Sequence, residues 1–169
     1  MNDGRIRPMV ENKLINGYRP ALIRLYARRG PVEISEETAA ALHGPRILAL
    51  GREAVKLAGD PDADKLEGTV EVVSPFKDGV VADYELAAKM MRYFVGKCCR
   101  RRLFCKPRIA VCVPLELTKV ERRAYEDVFY QAGAKKVLVV EKAMEQAMAE
   151  IPAEYGVVVG IYPQPRDGR

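Results

Sequence analysis

The feature that most constrains the fold is a strand, a helix and a second strand that follow one another almost without connecting residues. The first strand reads RIAVCVP from residue 108, the helix reads LTKVERRAYEDVFYQAG, and the second strand reads KKVLVVE up to residue 141. Two strands joined through a helix on one face of a sheet run parallel, with a right-handed crossover. The sequence therefore predicts a βαβ unit and, around it, an open α/β sheet.

Two predicted helices have clear limits. The later one begins with a capping box, Thr118 with Glu121, and ends at Gly133. Asp83 is predicted to cap the earlier one, which runs to about Cys98. Apolar residues recur along one face of each helix, so both should pack on the sheet. These residues are Leu86, Ala87, Met90, Met91, Phe94 and Val95 in the earlier helix, and Val120, Ala124, Val128, Phe129 and Ala132 in the later one.

Further strands complete the predicted order of elements. The unbroken apolar run from Val137 to Val140 predicts a strand that is covered on both faces. Residues 31–45 are ambiguous, because Ser35, two glutamates and an alanine run favour a short helix closed by a Gly-Pro pair. Other strands are predicted at 21–27, 46–51, 68–75 and 155–162, short helices at 52–59 and 142–150, an irregular start at 1–20 and a frayed tail at 163–169.

Composition limits the classes to which the chain can belong. Its 169 residues suit one domain, and its four cysteines follow neither a disulfide framework nor a zinc spacing. This cysteine pattern predicts a reducing cytoplasm. No run approaches the roughly 18 apolar residues of a membrane span, so we expect any membrane contact to be peripheral. The net charge of +5 suits an anionic partner, either nucleic acid or the acidic inner leaflet of a membrane. The densest basic cluster consists of Lys97, Arg100, Arg101, Arg102, Lys106 and Arg108.

The residues offer no metal or nucleophile site. His43 is the only histidine, and it precedes a Gly-Pro loop. The alternating aspartates of 60–64 lack the glycine and the final glutamate of a calcium loop, so they predict a solvated turn. Glu141 and Glu145 are separated by one helical turn with Lys142 between them, which is typical of the start of a helix. We therefore expect no metal and no catalytic residue.

Several segments together resemble the first half of MreB, the bacterial actin-like family that directs rod cell shape. The match runs from about residue 21 to 159 and is densest in KDGVVADY, MMRYFVGK, KPRIAVCVP, VERRA and QAGAKKVLVVEKAM. The resemblance implies an actin-like, ribonuclease H-like subdomain IA within 21–162, with a parallel or mixed sheet flanked by helices. It also implies a small inserted subdomain IB at 31–76, with a strand near the ambiguous residues.

The family holds and hydrolyses ATP with two glycine-rich hairpins and a glutamate, and this chain departs from it at each place. In the stretch matching the first hairpin, Gly17 is kept but Ile15 replaces the aspartate. Glu141 matches the first glutamate of the family's Ile-Glu-Glu-Pro-Met segment, whereas Lys142 replaces the catalytic one. Gly160 stands where the aspartate of the second hairpin belongs, and the glycine cluster is absent. These degenerate positions predict a chain that is not an enzyme and binds no cofactor.

The resemblance also implies two contact surfaces. In the family, a loop before the KPR strand carries an apolar pair that enters the bilayer, which here is Leu103 and Phe104. The cations of this membrane-binding segment are Arg100, Arg101, Arg102 and Lys106. The VERRA helix takes part in pairing protofilaments in the family, and the side chains left for such protein contacts are Lys119, Arg122, Arg123 and Glu126.

Together these observations predict a non-catalytic cell-shape accessory that is cytoplasmic and peripheral at the inner face of the cell membrane. Its partners would be an actin-like filament, a second copy of itself, or the anionic membrane surface. The alternative is a basic nucleic-acid-binding module that uses the cluster at 97–108, although no aromatic stacking platform accompanies it. Two further alternatives are a residual ATP-binding actin-like protein and a decayed remnant that merely folds.

Overall fold

The computed structural model describes residues 20–30, 32–58, 70–99 and 106–164. Within these ranges the chain forms four helices and ten strands. The helices are α1 (Arg52–Leu57), α2 (Tyr84–Cys99), α3 (Lys119–Gln131) and α4 (Met144–Ala147). The strands are β1 (Leu22–Ala27), β2 (Glu33–Glu37), β3 (Ala40–His43), β4 (Arg46–Leu50), β5 (Glu71–Val73), β6 (Phe76–Lys77), β7 (Val80–Val81), β8 (Arg108–Cys112), β9 (Lys136–Val140) and β10 (Val157–Tyr162).

Five strands form the main sheet, in the order β2-β1-β10-β8-β9. The predicted βαβ unit is confirmed, since β8 and β9 are parallel and α3 connects them. β10 is parallel to β8 on one side and antiparallel to β1 on the other. The last of these strands in the chain therefore lies at the centre of the sheet, and both edges of β1 are hydrogen-bonded, one to β2 and one to β10.

Side chains of β10 alternate between two cores. Val157, Val159 and Ile161 pack into the larger core with residues of α2 and α3. Val158 packs into a smaller core on the other face, with Met144 and other residues between α4 and the start of β10. Because successive side chains of a strand point to opposite faces, a strand covered on both sides must be apolar throughout. β9 has the same pattern but is an edge strand, where only Val139 is fully buried.

Both long helices begin where local signals predicted. The Asp83 carboxylate accepts the backbone N–H of Leu86 at 3.0 Å at the start of α2. In the capping box of α3, the hydroxyl of Thr118 accepts the N–H of Glu121 at 3.2 Å, and the carboxylate of Glu121 accepts the N–H of Thr118 at 2.9 Å. All six apolar residues predicted for the buried face of α2 are buried.

Val120 is a correction to the predicted core face of α3. Its side chain is 81% exposed, because at about 100° per residue it lies on the opposite side of the helix from Phe129. Tyr125 is the core residue that the pattern missed. It is buried, stacks on Phe76 with ring centroids 6.0 Å apart, and donates its hydroxyl to the carbonyl of Gly79 at 2.6 Å.

Residues 32–43 form strands, so the local preference for a helix was wrong and the implied strand is present. β2 pairs with β1 at five positions from Tyr26 to Leu22. β3 pairs with β4 and β5 in a separate three-stranded sheet. Pairing with the neighbouring strands β1 and β4 and with the more distant β5 outweighs the helix preference of glutamate and alanine, because propensity is a weak prior against tertiary contacts.

The small sheet forms a unit of its own with α1, around Ala39, Ala41, Ala54 and Val55. β2 belongs to the main sheet, and the three strands of the small sheet, which begin at Ala40 and end at Val73, lie within the expected insertion at 31–76. The chain enters this unit at Thr38 and leaves it at Ser74, and these two buried hydroxyls lie 3.2 Å apart. Thr38 also donates to the carbonyl of Ala21 at 3.0 Å, which ties the unit to the main sheet.

Candidate functional site

The carboxyl ends of β8, β10 and β9 lie side by side at one end of the main sheet, because these three strands are parallel. In open α/β sheets, ligands bind beyond the carboxyl ends of the strands. The hairpin of β6 and β7 lies beside it, with Gly79 against Leu115 and Pro163. This end of the sheet therefore brings together Glu141, Lys142 and the end of β10. The positions of their side chains decide what can bind there.

Glu141 and Lys142 are both engaged in ion pairs. Arg122 donates to the carboxylate of Glu141 at 2.6 Å and to the carbonyl of Val139 at 2.9 Å. The ammonium of Lys142 lies 2.8 Å from both carboxylate oxygens of Glu150. Arg122 therefore ties α3 to the end of β9 within the chain, rather than pointing outward with the other residues expected to contact a partner.

The ring of Tyr162 lies over the backbone of Gly160. A Cβ atom at Gly160 would lie 2.8 Å from the ring and 2.9 Å from its hydroxyl oxygen. This hydroxyl donates to the carboxylate of Glu145 at 2.9 Å. Burial first, and then this hydrogen bond, raises the pKa of Tyr162 to about 12. The Tyr162 side chain therefore covers the backbone at the end of β10, the strand end at which the sequence resemblance places the second hairpin.

Arg24 on β1 links three elements through charge, and a hydrogen bond from Tyr162 to Glu145 adds β10 to this network. The guanidinium of Arg24 donates to Glu33 on β2 and to Glu145 at the start of α4. The hydrogen bond with Glu33 raises the pKa of Arg24. The backbone N–H of Glu145, followed by the hydroxyl of Tyr162, lowers the pKa of the Glu145 carboxyl. This network was not predicted from the sequence, although one signal was present: Arg24 is a cation that alternates with the buried apolar residues of β1.

Ion pairs and hydrogen bonds within the chain engage the charged groups at this end of the sheet. Phosphate sites in glycine-rich loops use successive backbone N–H groups. After β10 the chain continues with Pro163, which has no N–H, and the Tyr162 ring fills the approach to Gly160. The matching positions of the first hairpin, Ile15 and Gly17, lie outside the described residues.

Other predicted contact residues are placed in part. Lys119 and Arg123 are exposed and Glu126 is partly buried on α3, beside the exposed Val120. Lys106 is exposed, whereas the rest of the predicted membrane-binding segment, Arg100, Arg101, Arg102, Leu103 and Phe104, lies outside the described residues. In the ranges that the structure describes, no three histidine, cysteine or acidic residues are grouped as metal ligands. No described helix is long and apolar enough to cross a bilayer.

The mixed five-stranded sheet with helices on both faces and a small inserted sheet defines the first half of an actin-like fold. Two solved structures have this fold. MreB5 of Spiroplasma citri bound to ADP superimposes with a TM-score of 0.60 at 24% identity, over 79% of this chain and 39% of that one. The AMPPNP-bound form gives a TM-score of 0.58 at 26% identity, over 78% and 39% of the two chains.

The MreB/Mbl protein family model matches residues 26–158. The cell shape-determining protein MreB of Haemophilus influenzae is 32% identical over 161 residues, which are 90% of this chain and 44% of that protein. Mbl of Bacillus subtilis is 30% identical over 124 residues, 72% of this chain and 36% of that protein. The chain belongs to the MreB/Mbl family, and it spans less than half the length of these curated relatives.

Proposed function

We propose that this chain is a non-catalytic accessory of the cell-shape cytoskeleton that works at the cytoplasmic face of the membrane. The observation that carries the proposal lies at the carboxyl ends of the parallel strands, where Lys142 is paired with Glu150 and Tyr162 covers Gly160. The strand pairing gives further support. β10 is hydrogen-bonded to one edge of β1 along its whole length, and β2 is hydrogen-bonded to the other edge.

We expect the protein neither to bind nor to hydrolyse ATP. Isothermal titration with ATP and magnesium should give no binding heat, and no phosphate should be released, because the acidic and backbone groups needed for phosphate transfer are replaced. Lys142→Glu alone should not restore turnover, since Tyr162 and Pro163 remain. A full-length MreB assayed in parallel serves as the positive control. Micromolar affinity, or phosphate release that Glu141→Gln abolishes, would contradict the proposal.

Membrane attachment is the second part of the proposal, and it rests on the sequence around Leu103 and Phe104. Two buried apolar side chains contribute about 1.5–3 kcal/mol each, and each nearby cation adds about 1 kcal/mol at an anionic surface. We expect the protein to float with vesicles that contain anionic lipid and to dissociate as salt rises.

The matched variants separate the segment from general surface effects. Leu103→Ser with Phe104→Ser should remain folded and stay at the bottom of the flotation gradient, whereas Val120→Ser, which changes an exposed apolar residue elsewhere, should float like the wild type. Equal flotation of both variants would remove the segment from the mechanism. Binding to duplex DNA without flotation would favour the nucleic-acid module instead.

Contact with an actin-like filament is the third part of the proposal, and the outer face of α3 supports it. Val120 is 81% exposed between Lys119 and Arg123, which are also exposed. An apolar side chain flanked by cations suits a partner surface that is partly apolar and acidic. Arg122 does not belong to this surface, because Glu141 and Val139 engage its guanidinium.

A further inference from the structure

A cavity of about 650 Å³ lies at the opposite end of the main sheet, where β8, β9 and β10 begin. Its volume falls within the range of about 300–1,000 Å³ that is typical of small-molecule sites. Apolar side chains of Ala27, Val32 and Val157 line one part of it. Its charged lining residues are Arg29, Lys106, Arg108, Lys135 and Glu154. The cavity therefore combines an apolar wall with an excess of positive charge.

The single carboxylate does not neutralise the cavity. Glu154 lies 3.6 Å from Arg108 and 3.7 Å from Lys136, so two cations share it. Arg29, Lys106 and Lys135 are exposed and have no ion-pair partner among the residues that the structure describes. Three cations at the cavity are thus left without a carboxylate partner in the described part of the chain.

The walls of the cavity are fixed by hydrogen bonds. Arg28 donates to the carbonyls of Ile151 and Pro152 at 2.9 and 2.7 Å, and its N–H bonds to the carbonyl of Gly156 at 2.9 Å. On the opposite wall, the N–H of Lys135 bonds to the carbonyl of Pro107 at 2.9 Å. The neighbouring arginines therefore differ in use: Arg28 holds the wall, and Arg29 is left for the cavity.

We propose that this cavity binds the phosphate group of an anionic amphiphile, with the adjoining apolar part against Val32 and Val157. Hydrogen bonds from cations to phosphate are about twice as strong as neutral ones, and the apolar wall favours a ligand with hydrocarbon next to its phosphate over a bare ion. Cys99 and Lys106 line the cavity and flank the predicted membrane-binding segment. The inference rests on the proposed membrane attachment, which would present such a ligand.

The test uses soluble probes that require no vesicle. Dihexanoyl phosphatidylglycerol, below its critical micelle concentration, should bind at least about tenfold more tightly than inorganic phosphate. Dihexanoyl phosphatidylcholine, which has no net charge, should bind more weakly than the phosphatidylglycerol. Arg29→Gln with Lys135→Gln should weaken binding of dihexanoyl phosphatidylglycerol about tenfold, as expected for the loss of charge-assisted hydrogen bonds. Arg46→Gln with Lys89→Gln removes the same charge from exposed sites on β4 and α2, away from every proposed contact surface, and should leave affinity unchanged.

Failure of this inference can be told from failure of the proposed attachment. Leu103→Ser with Phe104→Ser should abolish flotation yet still bind the soluble lipid, whereas the Arg29 and Lys135 double variant should bind the soluble lipid about tenfold more weakly while unfolding at the wild-type temperature. Equal weakening in both charge variants would overturn the site. Equal affinity for inorganic phosphate would contradict the preference for an amphiphilic ligand. If the folded wild type bound none of the probes, both the site and this preference would be contradicted.

Discussion

Replacing Val159 with aspartate should abolish cooperative folding. Val159 is fully buried at the centre of β10, where it pairs with Leu25 on β1 and Val111 on β8. A carboxylate there would have neither solvent nor a partner, and such burial costs several kcal/mol. Small domains are stable by only about 5–15 kcal/mol. Thermal and urea unfolding followed by circular dichroism should therefore show no cooperative transition in this variant.

Two companion variants make the result specific to the centre of the sheet. Val159→Ala should retain a cooperative transition but lose about 2 kcal/mol, because it removes buried methyl groups without introducing a charge. Val120→Asp makes the same chemical change at a side chain that is 81% exposed, and it should shift stability by less than about 0.5 kcal/mol. Wild-type stability of Val159→Asp would mean that β10 is not the central strand in solution.

Gly79→Ala should destabilise the protein by about 2–4 kcal/mol, for two separate reasons. Gly79 has φ of +81°, a conformation that costs a residue with a Cβ about 1–2 kcal/mol. The added methyl group would also overlap the Cδ1 atom of Leu115 and lie 3.2 Å from Pro163. Equilibrium unfolding in urea measures the loss.

Two controls divide this loss into its parts. Gly44 also has positive φ, at +57°, but a methyl group added there would have no neighbouring atom within 4 Å. Gly44→Ala should therefore show only the conformational part. Adding Leu115→Ala to Gly79→Ala should recover the steric part, since Leu115 is 39% exposed and tolerates truncation better than a core residue. Equal losses at the two glycines, without rescue, would contradict the close approach of Leu115.

The parts of the fold that could be predicted from the sequence are those with local causes. The capping residues Asp83 and Thr118 mark helix starts because their side chains bond to N–H groups two or three residues away. Val120 was misassigned because apolar periodicity in a short helix does not settle which side meets the sheet. Residues 33–37 and 40–43 became strands because β1, β4 and β5 hydrogen-bond to them, and these pairings outweigh the helix preference of glutamate and alanine.

The candidate site divides in the same way. Lys142 and Gly160 could be identified as substituted positions from sequence matches alone. Their surroundings could not, because Glu150 pairs with Lys142 across a helical segment, and Tyr162 meets Glu145 only after β10 has entered the sheet. The network around Arg24 draws on four elements, so it follows from the strand order and not from any one motif.

The central place of β10 also governs the order in which the fold can form during synthesis. The small sheet and the β8-α3-β9 unit are made of neighbouring segments, so both can form early. β1 and β8 must wait for β10, which leaves the ribosome after both, and until then each has an open edge that can pair with another chain. We therefore expect completion of the sheet, after residue 162 has been translated, to be the slow and aggregation-sensitive step of folding.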